Sequence, residues 1–270
     1  MSMKKIKISL LIVIALLIAV LGVYSATHNK KKSSDNKKAT FTVGFDQNFP
    51  PFGYKDKNGE FKGFDIDLAR ECAKRMGKKL VLKPIDWDSK DIELETGNID
   101  CIWNGFTIDG RENSYAWTKA YMDNSQVFVV KKDSNIKNSK DLAGKVVDVQ
   151  MDSSAETALK SDDHKELLKS FSKMQTVGDY NTAMMDLDSG AVDAVAMDVF
   201  VAKDQIKGKE DKFVILEDKI SSEKYGVGFA KNNTKLRDLV EKTLFEMKDD
   251  NTFARISKKW FKTDVCILEK

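Results

Sequence analysis

Apolar and polar positions alternate from Phe41 to Phe45 (FTVGF), which predicts a strand. The pattern then breaks, because Pro50 and Pro51 within Asn48 to Gly53 (NFPPFG) cannot donate to a ladder. From Gly63-Phe64-Asp65 onward the period becomes helical. Ile66, Leu68, Ala69, Cys72, Ala73 and Met76 recur on one face until Gly77, with Asp65 placed to cap the helix. Lys79 to Ile85 reads as a strand, Asp88 to Glu95 as a short helix and Asp100 to Phe106 (DCIWNGF) as a buried strand. Strands alternating with helices predict parallel pairing through crossover helices.

The alternation starts again after Tyr121. Gln126 to Lys131, Lys145 to Gln150, Ser172 to Val177 and Asp193 to Met197 read as strands, with helices from Ser154 to Leu159 and from Tyr180 to Asp188. Phe213 to Leu216 and Tyr225 to Ala230 add further strands. Two amphipathic helices close the chain, one carrying Leu236, Leu239, Val240, Leu244 and Met247, the other Phe253, Ile256, Trp260 and Phe261. Two successive α/β units predict two lobes, each with a mostly parallel sheet, and the cleft between them is the natural place for a ligand.

The first residues stand outside this scheme. Ile8 to Val23 contains no charge and follows Lys4, Lys5 and Lys7, the arrangement of an export signal. Its sixteen residues would reach about 24 Å as a helix, short of a hydrocarbon core of about 30 Å. Cleavage after Ser25 and retention as a membrane anchor both fit, and no cysteine is placed for lipid modification. Thr27 to Ala39, rich in lysine, reads as a solvated tether. Residues 1–38 hold eight lysines against one acid, Asp35, so the net charge of +3 hides a body that carries −4. A mildly acidic body lacks the field that neutralises phosphates, which argues against nucleic acid as a partner.

Catalytic patterns are missing. His28 lies in the tether and His164 in a charged stretch, and there is no G-x-S-x-G, P-loop, G-x-G-x-x-G or H-E-x-x-H. Three cysteines and two histidines suggest neither a disulfide scaffold nor a metal centre, and no cofactor is expected. Cys72, Cys101 and Cys266 permit three pairings, among which the sequence does not choose.

Polar groups do collect at strand ends. Gly105, Thr107 and Arg111 follow one predicted strand, and an arginine there can fork onto a carboxylate or pair locally with Asp109. Ser153 and Glu156 fit a capping box, with Ser154 in a first turn whose free N–H groups suit an anion. Asp198 closes another strand, where it could hold an ammonium or simply cap the next helix. Phe49 and Trp87 follow the first two strands and could clamp a side chain or cover the core edge. Together these groups suit a zwitterion with a side chain, hence a free amino acid.

The order of Phe49-Pro50-Pro51-Phe52, Gly63 to Ala69 (GFDIDLA), Cys101 to Arg111 (CIWNGFTIDGR), Ser153 to Glu156 (SSAE) and Asp193 to Asp198 (DAVAMD) resembles that of the extracytoplasmic solute-binding proteins of ABC importers for polar amino acids. The resemblance covers roughly residues 40–263. It implies a type II, two-lobed clamp with two hinge strands: lobe 1 from residues 40–124 and 227–270, lobe 2 from 125–226. By the same resemblance Arg111 grips the α-carboxylate with the Ser154 N–H and the Thr107 hydroxyl. Asp198 takes the α-ammonium with the Gly105 carbonyl, Phe49 and Trp87 sandwich the side chain, and Asp46 and Gln150 select it. Ser153 belongs to the same turn. The implied partners are a free polar amino acid and the membrane subunits of an ABC permease, met by a monomer outside the membrane.

Two departures stand out. The loop from Thr107 to Arg111 is one residue shorter than the commoner spacing, and Asp152 replaces the usual glycine before the paired serines. A dehydratase of prephenate-like acids on the same fold is the alternative, with Asp46 as its one candidate proton donor. Glutamine, arginine, lysine, histidine and cystine all remain open as ligands.

Overall fold

Strand β1 (Thr40–Phe45) buries Phe41, Val43 and Phe45 by its alternation, and Gly44 lets the ladder pass close to Ile99, whose Cδ1 lies 2.4 Å from where a Cβ would stand. The structure is a computed structural model that describes residues 39–269; the expected export signal of residues 1–25 and nearly all of the expected tether lie outside the described residues. Strand β1 is followed by a small antiparallel sheet of β2 (Asn48–Phe49), β3 (Gly53–Lys55) and β4 (Phe61–Lys62). The proline loop is thus framed by short strands, and its Pro50-Pro51 bond is cis.

Helix α1 (Phe64–Arg75) buries Phe64, Ile66, Leu68, Ala69, Cys72 and Ala73. It starts from Gly63 at φ 145°, where a Cβ would stand 1.9 Å from the Phe52 carbonyl oxygen, so only glycine fits. Asp65 does not cap it: the carboxylate points inward, away from the helix's own N–H groups. Strand β5 (Lys79–Pro84) pairs in parallel with β1. A 3₁₀ turn (Trp87–Ser89) leads into α2 (Lys90–Glu95), which splits the single helix expected there. Of the strand expected from Asp100 to Phe106, only β6 (Cys101–Ile102) joins the ladder. Gly105 at φ 57° turns the chain out of the sheet and aims Asn104 to Thr107 elsewhere. Strand β7 (Ala116–Trp117) completes the first half of the chain.

The second sheet begins with the long β8 (Met122–Lys131). It continues through β9 (Val146–Gln150), α3 (Ser154–Lys160), α4 (Lys165–Ser170), β10 (Lys173–Val177), α5 (Tyr180–Ser189), β11 (Ala194–Asp198) and α6 (Val199–Gln205). The thirteen-residue β12 (Phe213–Tyr225) is its edge, and the order is β10-β9-β11-β8-β12. Strands β9, β10 and β11 run parallel, while β8 opposes β11 and β12. Strand β12 runs through residues the sequence reading left between two shorter strands. Register shifts between Ile215, Lys219 and Ser221 scramble its alternation, as bulges do.

The chain then returns to the first sheet as β13 (Gly228–Phe229), inserted between β6 and β7. Helices α7 (Thr234–Asp249) and α8 (Thr252–Phe261) pack back onto α1, α8 through ring contacts of Phe64 with Phe253 (5.8 Å) and Phe261 (4.9 Å), α7 through Met247 Sδ, 3.7 Å from Cys72 Sγ. The two passages between sheets run side by side. Tyr121 N donates to Tyr225 O (2.9 Å) and Thr118 N to Val227 O (3.1 Å).

Candidate functional site

The strand ends of both sheets converge on a narrow cavity whose free space is about 10 Å³, room for about one water. From the side of the first sheet it is lined by Phe49, Trp87, Asn104, Gly105, Thr107 and Arg111. From the side of the second it is lined by Gln150, Ser153, Ser154 and Asp198. Nine of the ten residues anticipated from sequence border this one space; Asp46 does not. It lines the adjoining, larger cleft with Asp86, Trp87, Asp88 and Asp179, and is tied to the cavity wall by Gln150 Nε2, which donates to its Oδ2 at 2.8 Å. Burial pushes the Asp46 carboxyl up to about 6, against the opposing pull of the Asn48 N–H and Gln150 donors.

Each lining group is held by its local structure. Gly105 donates its N–H to Asp65 Oδ2 (2.6 Å), and its missing side chain admits the Phe49 ring, whose Cε1 lies 3.0 Å from where a Cβ would stand. Tyr121 also donates to Asp65 (2.9 Å), so the inward carboxylate of α1 fixes the turn that forms the cavity wall. Trp87 stacks edge-on against Phe106 at 5.4 Å.

Arg111 lies over the other ring contact of this group, with its guanidinium 5.5 Å from the Phe106 centroid. It donates to the Asp152 carbonyl (3.2 Å) and the Thr107 carbonyl (3.5 Å). Among the described residues no carboxylate lies within ion-pair distance of Arg111. Asp109, the local partner considered from sequence, instead accepts from the Lys224 N–H at 2.6 Å. The shorter Thr107–Arg111 loop therefore still brings the guanidinium to the cavity.

On the opposite wall, the Ser153 hydroxyl caps α3 by accepting from Glu156 N (3.1 Å). The Glu156 carboxylate reaches back to the N–H of Asp152 (2.6 Å), one residue earlier than a standard capping box. Thr107 Oγ1 donates to Ser154 Oγ at 3.2 Å across the cavity. Asp152 takes the left-handed backbone expected of a glycine replacement, at φ 57°. Its carbonyl accepts from Trp87 Nε1 (3.2 Å) as well as Arg111, and its carboxylate pairs with the buried Lys90.

Asp198 ends β11 with its side chain buried, and makes no capping bond to α6. Its Oδ1 accepts from Asn124 Nδ2 (2.8 Å), Gln126 Nε2 (2.9 Å) and the Tyr225 hydroxyl. Burial, then the neighbouring charge of Glu223, pushes its carboxyl up to about 7. The sequence reading missed Asn104, Asn124, Gln126, Glu223, Asp65 and Lys90. For Asn104 and Gln126 the available signal was a polar residue within a predicted strand; Asn124 and Glu223 lie outside the strands the pattern predicts and carried no such signal.

Comparison with known proteins adds the lineage. Residues 41–263 match the bacterial extracellular solute-binding proteins, family 3. The chain belongs to that family. The "Probable amino-acid-binding protein YxeM" of Bacillus subtilis (strain 168) is 32% identical over 274 residues, spanning 100% of both chains. The "L-cystine-binding protein TcyJ" of Escherichia coli (strain K12) is 30% identical over 252 residues, 92% of each. Among solved structures, an ABC uptake transporter substrate-binding protein from Streptococcus pneumoniae with bound histidine superposes with a TM-score of 0.81. It shares 33% identity and covers 89% of this chain and 98% of its own. The fold of this family 3 member is accordingly the type II periplasmic-binding-protein fold, and its role is solute binding outside the cytoplasm rather than catalysis. Among the described residues no helix is long and apolar enough to cross a membrane.

Proposed function

We propose that the protein captures one free polar amino acid between the walls of this cavity, which part to admit it, and hands it to the membrane subunits of an ABC permease, acting as a monomer and without nucleic acid. The observation that carries this reading is that Arg111, a guanidinium with no carboxylate partner among the described residues, and Asp198, a buried carboxylate, border the same small space. A zwitterion entering it satisfies both, whereas either charge buried alone is penalised. Arg111 takes the α-carboxylate with the Thr107 hydroxyl and the Ser154 N–H, Ser153 holding that turn. Asp198 takes the α-ammonium beside Gly105. Phe49 and Trp87 face the side chain, with Gln150 and Asp46 at its far end.

Lobe 1 comprises residues 40–124 and 227–270 and lobe 2 residues 125–226, closing about the two side-by-side passages. The export signal of residues 1–25 serves either as a cleaved peptide or as an anchor, with residues 26–39 as the tether. Asp46, Asp86, Asp88 and Asp179 around the adjoining cleft favour a ligand whose side chain carries positive charge. The binding names of the relatives favour transport over the dehydratase alternative.

Isothermal titration with the free amino acids tests the assignment. Arginine, lysine or histidine is expected to bind most tightly, and Arg111→Ala and Asp198→Ala each to weaken binding by about 3 kcal/mol or more, over a hundredfold. Near-native affinity in both variants refutes it.

A further inference from the structure

Asp198 does not stand alone at the base of the cavity. Glu223, on β12, is also buried, and its Oε1 accepts from the same two amide groups that serve Asp198: Asn124 Nδ2 at 2.6 Å and Gln126 Nε2 at 2.7 Å. Each amide thus bridges the two carboxylates. The Ser154 hydroxyl (3.4 Å) and the Thr107 hydroxyl add further contacts to Glu223.

Donors are scarce here and acceptors abundant. The amide oxygens of Asn124 and Gln126 are themselves buried without a hydrogen-bond partner. Turning the amides over would only set oxygen against carboxylate. The ionisable groups set against the pair are Tyr225 on β12, Tyr180 on α5 and, beyond Tyr180, the Asp46 carboxyl, while Arg111, the one cation lining the cavity among the described residues, is not in ion-pair contact with either carboxyl. Lys224, next in sequence to Glu223, pairs with Asp123 at 2.9 Å instead. Among the described residues no lysine or arginine lies within ion-pair distance of Asp198 or Glu223. Two full negative charges sharing one set of donors without a cation are disfavoured, and both carboxyls are pushed above their ordinary range, by burial first.

We propose that Glu223 is a further residue of the binding machinery: in the free protein it shares one proton with Asp198, and the arriving ammonium of the ligand expels that proton to solvent. The balance is one for one. The ligand brings a fixed positive charge and three N–H donors into a site that gives up one H⁺, no covalent bond to carbon or nitrogen changes, and the site's net charge is kept. Glu223 acts through Asp198 and the bridging amides, as a positioning residue. The inference rests on the reading that Asp198 meets the ammonium.

Titration calorimetry in buffers of different ionisation enthalpy counts the protons directly. The probes are L-arginine, L-lysine and L-glutamine, whose side chains do not titrate near neutrality. At about pH 6, below the coupled titration, close to one proton is expected to leave per amino acid bound, falling towards zero by about pH 8.5. The dissociation constant should weaken by up to about tenfold per pH unit on the acidic side. Glu223→Gln keeps the shape but leaves Asp198 without a competing charge, so the release and the pH slope should both fall by more than half. The wild-type proton count decides the matter even where the variant folds poorly. Binding without proton release, or an unchanged pH profile in Glu223→Gln, overturns the shared proton while leaving the ammonium site standing. Full affinity in Asp198→Asn, or no binding of any probe, removes the ammonium reading itself.

Discussion

Asp152 joins the two sides of the cavity, and a change of one atom tests how much that joint contributes. Lys90, on α2 of the first half, has a side chain only 1% exposed, and Asp152, on the second half, supplies its one carboxylate partner among the described residues. Opening the cavity separates them. Lys90 is then left with the Trp87 ring, 5.2 Å from its centroid, and a long contact of 3.4 Å to the Trp87 carbonyl. Removing one partner of a fully buried pair costs about 3–5 kcal/mol, but the Asp152 side chain is 49% exposed, and water screens that side. Asp152→Asn, which tolerates the left-handed backbone and retains an acceptor, should therefore cost about 1–2 kcal/mol of the closed state. That corresponds to about 5- to 30-fold weaker ligand binding. Most of the change should fall in the dissociation rate, since the pair forms after encounter. Stopped-flow dissociation and calorimetry on wild type, Asp152→Asn, Lys90→Met and the double variant give the coupling energy. Dissociation within twofold of wild type in both single variants would refute the reasoning.

Two further outcomes follow from the same geometry. Gly105→Ala places a methyl group 3.0 Å from Phe49 Cε1 and 3.2 Å from Tyr225 Cε2 at a positive φ, so thermal unfolding should drop by about 1–2 kcal/mol equivalent and affinity by about tenfold. A variant with native affinity would show the wall to be slack. Asp65 is pushed up to about 7 by burial, so the folded protein keeps a proton that the unfolded chain releases near 4. Its contribution to stability consequently falls as pH rises from about 4 to about 7, and is least favourable above that. Urea unfolding should show this decline, and Asp65→Asn should remove part of it; an unchanged slope would contradict the assignment.

The architecture and most of the cavity wall were legible because they depend on local patterns. Arg111, Ser154 and Asp198 each follow a strand of alternating or continuous apolar residues, and strand ends are where an open α/β sheet exposes polar groups. What stayed hidden depends on partners far apart in the chain. Glu223 meets Gln126 across 97 positions, and Lys90 meets Asp152 across 62. Nothing near Glu223 in β12 marks it out, because bulges in that strand blur which positions face inward. Asp65 misled for a related reason: a carboxylate in the first turn of a helix suits a cap, and only the approach of Gly105, 40 positions later, draws it inward. Asp46 lines the adjoining cleft and reaches the cavity only through its bond to Gln150, 104 positions away in the chain.

The way the chain threads its two sheets also dictates an order of assembly. Strands β8 through β12 are contiguous in sequence, so this half has every piece it needs once residue 225 has emerged. The half that holds β1 still lacks β13 and the two closing helices, which arrive only with residues 228–261. A chain exported with its amino end leading thus finishes the later-born half first, and its earliest strands wait, incompletely covered, for the last forty-odd residues to cross.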